Sequence, residues 1–189
     1  MNLIRIVRLD GVNKLLPFDS SCLQKFEIFS DVIIDAKESS RFSLTFKISD
    51  ADDEVDLEKR ILLHEGSSLE RKDELWKMTC FEMFLNPIGQ KQYYEFNLSL
   101  EGAWNCYHFA GYRFPQPPQA SNDFEVERIL WKSNQLEVSI RNKSAFQKFN
   151  IGLTAVIKNK KNQTTYFSLK HEGGKPDFHL ASGFTLQRG

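Results

Sequence analysis

Apolar residues in this chain recur at every second position in run after run, while the three-and-four spacing of long helices is nearly absent. In R-F-S-L-T-F-K-I-S, Phe42, Leu44, Phe46 and Ile48 fall on one face of an extended chain and Ser43, Thr45 and Lys47 on the other. Tyr94, Phe96 and Leu98 alternate with Tyr93, Glu95, Asn97 and Ser99; Leu136, Val138 and Ile140 repeat the pattern, as do Leu153, Ala155 and Ile157 within a more continuous apolar run. Successive side chains of a strand point to opposite sides, so each run buries its apolar set only when strands lie side by side over a common core. Turn signals separate the runs: N-P-I-G at 86–89, E-G at 101–102, K-N-K-K-N at 158–162 and G-G at 173–174. The expected fold class is all-β, an antiparallel β-sandwich with minor helical turns. Its 189 residues form one domain, 1–189, long enough to bury a core without disulfide or metal staples.

Two stretches break the rhythm. Asp50 to Lys72 is charge-rich and reads as a long loop with a helical turn. Phe114 to Asn122, F-P-Q-P-P-Q-A-S-N, reads as an extended connection whose prolines have no N–H to donate.

Charge and composition narrow the partners. Lys and Arg number 25, as do Asp and Glu, so no net field favours nucleic acid or an anionic membrane. The basic run Lys158–Lys161 sits between two strand-like segments and reads as a solvated hairpin tip. Arg5, Arg8 and Asp10 interrupt the first apolar positions, so no secretory signal is evident, and no run has the length of a membrane span. Cys22, Cys80 and Cys106 are odd in number and lack CxxC spacing, which favours free thiols and a cytoplasmic address.

The chemistry gathers on one strand face. Glu95 and Asn97 share a face in Y-Y-E-F-N-L, and Glu82 lies in the strand-like C-F-E-M-F with Cys80 and Phe84 on its side. Trp76 has the same parity if that strand extends back. An isolated polar pair on a one-sided strand normally faces water. Carboxylates and amides beside flat rings, however, suit a sugar, whose hydroxyls take hydrogen bonds while its C–H faces pack on the rings.

The blocks L-W-K-M-T-C-F-E-M-F-L, Y-Y-E-F-N-L-S-L-E-G-A-W-N-C-Y-H-F-A-G-Y-R and Y-F-S-L-K-H-E-G-G-K-P-D-F-H, in that order, resemble a bacterial DOMON-like family related to the family-nine carbohydrate-binding modules. The resemblance covers most of the chain. It implies an immunoglobulin-like or jelly-roll-like sandwich with a ligand site on one sheet and its adjoining loops. In the sugar-binding modules a Trp precedes a strand Glu by six positions, a spacing matched by Trp76 and Glu82, and an Asn on the following strand is matched by Asn97. Those modules carry an Arg two residues before that Asn, where this chain has Glu95. Their second stacking Trp has no clear counterpart; Phe178, His179 and Trp131 are the candidates. The resemblance thus implies a non-catalytic module for a sugar or sugar-containing metabolite. Trp76 would stack, Glu82 and Asn97 would hydrogen-bond hydroxyls, Glu95 would alter specificity, and Tyr93 and Arg113 would be peripheral.

Other chemistry is permitted by the same residues. The main alternative is a protein-interaction sandwich without a small ligand. Glu82 and Glu95 on neighbouring strands could crowd into the acid and nucleophile of a retaining glycosidase, against the plainer reading of exposed or Arg113-paired glutamates. His171, Asp177 and His179 could form a facial triad, but the intervening G-G turn and proline favour a structural reading, with Asp177 capping backbone N–H groups and His179 bonding across the sheet. Haem would need Met78 or Met83 with His108, His171 or His179 as axial ligands, where buried Met is ordinarily core filling. In D-A-D-D-E-V-D, Val55 occupies the Gly position of a calcium loop, which excludes an EF-hand. No metal and no cofactor is expected.

Overall fold

A computed structural model describes residues 6–8, 11–19, 21, 25–35, 40–57 and 61–188. Cys22 and the N-terminal positions Arg5 and Asp10 lie outside the described residues. The strands are β1 (Ile6–Arg8), β2 (Asn13–Pro17), β3 (Phe26–Asp35), β4 (Arg41–Asp50), β5 (Leu62–Glu65), β6 (Glu70–Arg71), β7 (Cys80–Pro87), β8 (Tyr93–Leu98), β9 (Ala103–Phe109), β10 (Gln119–Ala120), β11 (Phe124–Lys132), β12 (Gln135–Asn142), β13 (Phe149–Lys158), β14 (Thr164–Ser168) and β15 (Leu186–Arg188). Three single-turn 3₁₀ helices, Gly66–Ser68, Leu75–Lys77 and Ala181–Gly183, are the helical content among these residues. None is long and apolar enough to cross a membrane.

The protein is all-β. Its strands follow one hydrogen-bonded path, β10-β9-β8-β7-β13-β14-β2-β3-β4-β12-β11-β5, curled into a half-barrel. Pairing is antiparallel except between β6 and β9. Alternation predicts two sheets; here β2 joins the limbs by changing partner along its length. Asn13 to Leu15 pair with β3, and Leu16 and Pro17 with β14. Periodicity fixes which face is apolar but not which edges meet, so this join was not readable.

The limbs face each other over one core. Strands that are not ladder neighbours touch through their side chains: Phe46 on β4 and Phe81 on β7 at 5.1 Å between centroids, Phe42 on β4 and Phe149 on β13 at 6.0 Å, Phe26 on β3 and Phe167 on β14 at 5.5 Å. The predicted inward sets Phe42/Leu44/Phe46/Ile48, Tyr94/Phe96/Leu98 and Leu136/Val138/Ile140 all lie in this core. Each such side chain removed from water contributes about 1.5–3 kcal/mol.

Two loop expectations need correction. The charged stretch expected as a loop holds β5 and β6; β5 pairs with β11 from Leu62↔Trp131 to Glu65↔Arg128. Its L-L-H-E sequence is too short and too polar to signal a strand without that partner. The proline-rich connection likewise contains β10, paired with β9 through Gln119↔His108. Lys158–Lys161 does form the β13–β14 turn, where Asn159 Oδ1 accepts the Lys161 and Gln163 backbone N–H groups at 3.0 and 2.8 Å.

Candidate functional site

The polar face sits where β7, β8, β9 and β13 run side by side. Register sets Glu82 opposite Asn97 and Thr154, and Glu95 opposite Phe84 and Tyr107. Glu82 and Glu95 are therefore diagonal neighbours on adjacent strands, not directly opposed. This face is covered, not wet. Phe84, Tyr93, Tyr107, Phe109 and Phe184 form a second apolar cluster on it, with Trp76 and Phe178 packed against them. Phe184 stacks on Phe84 at 5.5 Å, over Gly152, where an added Cβ would stand 2.6 Å from the Phe184 ring.

The cover leaves a cavity of about 460 Å³. Its lining includes Trp76, Glu82, Phe84, Glu95, Phe109 and Arg113, and also Val156, Tyr166, Phe178, His179 and the Gln116–Pro118 segment. That volume falls in the usual range for small-molecule sites. A second depression of about 760 Å³ lies over β3 and β4, lined by outward residues such as Phe29, Ile33, Thr45 and Lys47. It is larger, and its polar residues, among them Glu27, Thr45, Lys47 and Gln135, lack the aromatic walls of the first.

Of the six predicted site residues, Trp76, Glu82, Glu95 and Arg113 line the cavity; Tyr93 and Asn97 do not. Trp76 is not on an extension of β7 but in the 3₁₀ turn Leu75–Lys77, entered through Glu74 at φ 62°. Its indole meets the Tyr107 ring edge-on at 5.8 Å. Tyr107 is anchored in turn by its hydroxyl, which donates to Asp73 Oδ1 at 2.7 Å. Asn97 has the expected facing but sits too deep to reach a ligand: it is fully buried, and its Nδ2 donates to Glu95 Oε1 at 2.7 Å. Cys80 Sγ donates to Asn97 Oδ1 at 3.3 Å, so Cys80 is a buried structural thiol, like Cys106.

Glu82 and Glu95 are neither exposed nor hydrogen-bonded to an Arg among the described residues. Glu82 and Glu95 are 2% and 6% exposed, and Arg113 bonds Asp177 at 3.0 Å instead. Burial pushes the Glu82 carboxyl well above the usual range, and the neighbouring Glu95 charge adds to the rise against the opposing Thr154 hydroxyl. Burial likewise pushes Glu95 up to about 7, opposed by the Asn97 amide and the Arg113 charge.

The late loop supplies what the motif reading left open. Phe178 and His179 both line the cavity, whereas Trp131 is fully buried in the core of the other limb. His179 packs edge-on against Phe84, Tyr93 and Phe109. Burial, helped by Arg113, pushes its imidazole down to about 4, with Asp177 opposing. Its Nδ1 is 2.8 Å from Tyr93 Oη, which also accepts the Arg113 backbone N–H at 3.1 Å. In the tautomer that lets Tyr93 donate to Nδ1, the ring proton sits on Nε2 and faces Glu95 Oε2, 3.7 Å away. With the imidazole neutral at pH 7, this contact is not an ion pair. Asp177 Oδ1 accepts the His179 backbone N–H at 3.1 Å, and Oδ2 accepts Tyr112 Oη at 2.5 Å. His171 turns away, its Nε2 2.8 Å from the Leu16 carbonyl oxygen. Among the described residues no three His, Cys, Asp or Glu side chains converge as metal ligands.

Val156, Tyr166, Phe109 and the 116–118 segment carried no signal that separated them from core or linker; only the folded chain brings them to the cavity. No family sequence model matches the chain. No curated protein matches it in sequence. A solved structure does: a Bacteroides uniformis protein proposed to bind carbohydrate is similar at a TM-score of 0.56 and 17% identity, over 97% of this chain and 85% of that one. At that identity the likeness extends to the fold.

Proposed function

We propose that this protein is a non-catalytic module that binds a carbohydrate or sugar-containing metabolite in the cavity on the β7–β8–β9 face, and that its two limbs form a DOMON-like sandwich. One observation carries the reading: Trp76 shares an aromatic-walled cavity of about 460 Å³ with two buried carboxyl groups and Arg113. Trp76, with Phe178 on the late loop, offers ring faces to sugar C–H groups, while Glu82 and Glu95 offer oxygens to hydroxyls. Asn97 holds Glu95, and Tyr93 holds His179 and the Arg113 backbone. The structural neighbour's proposed carbohydrate binding supports the same class of ligand. Affinity is expected between micromolar and millimolar, about −4 to −8 kcal/mol. A calorimetric screen of mono- and disaccharides tests this. The expected result is binding weakened at least about tenfold by Trp76→Ala; no sugar bound, or binding unaffected by the substitution, overturns the proposal.

One arrangement favours a second reading, glycoside hydrolysis: two carboxyl groups with raised pKa share the cavity. Release of chromophore from aryl glycosides between pH 5 and 7, abolished by Glu82→Gln or Glu95→Gln, would establish it. No turnover by the wild-type protein across such substrates removes it.

A further inference from the structure

The cavity holds acceptor capacity that its own residues leave unmatched. Glu82 Oε2 accepts from Thr154 Oγ1 at 2.9 Å and Glu95 Oε1 from Asn97 Nδ2 at 2.7 Å. Among the described residues, neither Glu82 Oε1 nor Glu95 Oε2 accepts a hydrogen bond, although both side chains are more than nine-tenths buried and line the cavity. Arg113, the cationic side chain in the described lining, hydrogen-bonds Asp177 and acts on Glu95 through its charge without bonding it. The same space is walled by the rings of Trp76, Phe84, Phe109, Tyr166 and Phe178. Ring faces carry partial negative charge and attract a cation.

These features discriminate among ligands. A neutral hydroxyl can fill an open acceptor site but does nothing to favour ionisation of either buried carboxyl. An anion would be repelled by either carboxyl once it ionised. An ammonium group supplies three donors and a positive charge at once. We propose that the cavity takes a ligand bearing a free amine, a sugar with an ammonium group in place of one hydroxyl, lodged against the Glu82 and Glu95 carboxyls and ringed by the aromatic walls. This rests on the small-ligand reading above and narrows it.

Proton linkage follows. The charged or titratable groups around Glu95 are Cys80 and Glu82 on β7, Tyr107 on β9, Tyr93 on β8, Arg113 after β9, and Asp177 and His179 before β15. In the free protein burial favours the protonated carboxyl. An entering ammonium favours the ionised form, so a carboxyl proton leaves to solvent as the carboxylate–ammonium contact forms.

Calorimetry at pH 7.0, in two buffers of different ionisation heat, would compare glucosamine, galactosamine and mannosamine with their neutral parent sugars, and include ethanolamine as an amine without a ring. The expected result is an amino sugar bound about tenfold more tightly than its parent, with net proton release. Glu82→Gln combined with Glu95→Gln should erase that preference in a protein of unchanged circular dichroism. The proton release is read on the wild type and needs no variant. Parent sugars bound as tightly as amino sugars would overturn this inference and leave the carbohydrate reading standing. Ethanolamine bound in a glutamate-dependent way, with no sugar of either kind bound, would uphold ammonium recognition and overturn the carbohydrate reading. No binding of any of these probes would overturn both.

Discussion

Strands β4 and β7 run on opposite limbs of the same curled sheet and are buried in different ways. Along β4, Phe42, Leu44, Phe46 and Ile48 are buried while Ser43, Lys47 and Ser49 are exposed. Along β7 every residue from Cys80 to Pro87 is buried, and every residue of β8 is too. The inward faces of both strands share one core. The outward face of β7 is roofed by the Trp76 turn and by loop residues such as Phe178 and Phe184, which pack on the Phe84/Tyr93/Phe109 cluster. The roof is incomplete, and the gap is the candidate site. A period-two pattern thus identifies a core face, but its polar partner face is watery only if nothing later in the chain returns to cover it.

The sharpest way to break this comparison is to truncate one ring on each side of the sheet. Phe46→Ala in the shared core should cost about 3–5 kcal/mol, and Phe84→Ala, on the outward face, should approach the same loss. Chemical denaturation measures both. A Phe84→Ala effect as small as that of an exposed residue would show that the loop cover contributes no packing.

Next in size is pH dependence, where the buried limb should differ from the other. Glu95 titrates near 4.5 when unfolded and at about 7 when folded, so its folded-state pKa is raised. The folded protein then binds the extra proton, and stability from this group is present below pH 4.5 and lost as pH rises through 7, by about 3 kcal/mol in all. Glu82 acts in the same direction. His179 opposes them, because its pKa falls from 6.5 to about 4 on folding, so stability is lost as pH drops through that window. Melting temperatures of Glu95→Gln should therefore decline less between pH 4.5 and 7, and those of His179→Gln should lose the decline as pH falls from 6.5 to 4. Unchanged profiles would mean that neither group is desolvated as described.

A smaller effect tests the fit of the roof itself. Gly152→Ala places a methyl against Phe184 and should destabilise by about 1–3 kcal/mol. The smallest is the control on β4: Ser43→Ala, on the exposed face, should stay within about 0.5 kcal/mol.

Much of this was legible from side-chain alternation. Tyr93–Phe109 reads as two strands about an E-G turn, and β8 and β9 flank that turn in the structure. The shared face of Glu82, Glu95 and Asn97 was also readable, because parity along a strand needs no tertiary information. Depth was not. Asn97 and Glu95 have the same parity, yet one is sealed behind the other and only Glu95 lines the cavity. Phe178 and His179, nearly a hundred residues away in sequence, were candidates through the resemblance alone, alongside Trp131, and only the folded chain separated them from it.

Local covalent geometry makes the order of side chains along a strand sufficient to choose an all-β chain and to sort residues between two faces. Which face stays dry depends on a loop closing over it, a balance of packing and chain entropy set by segments distant in sequence. Folding alone therefore turned two ordinary surface-type glutamates into desolvated carboxyls in an aromatic hollow.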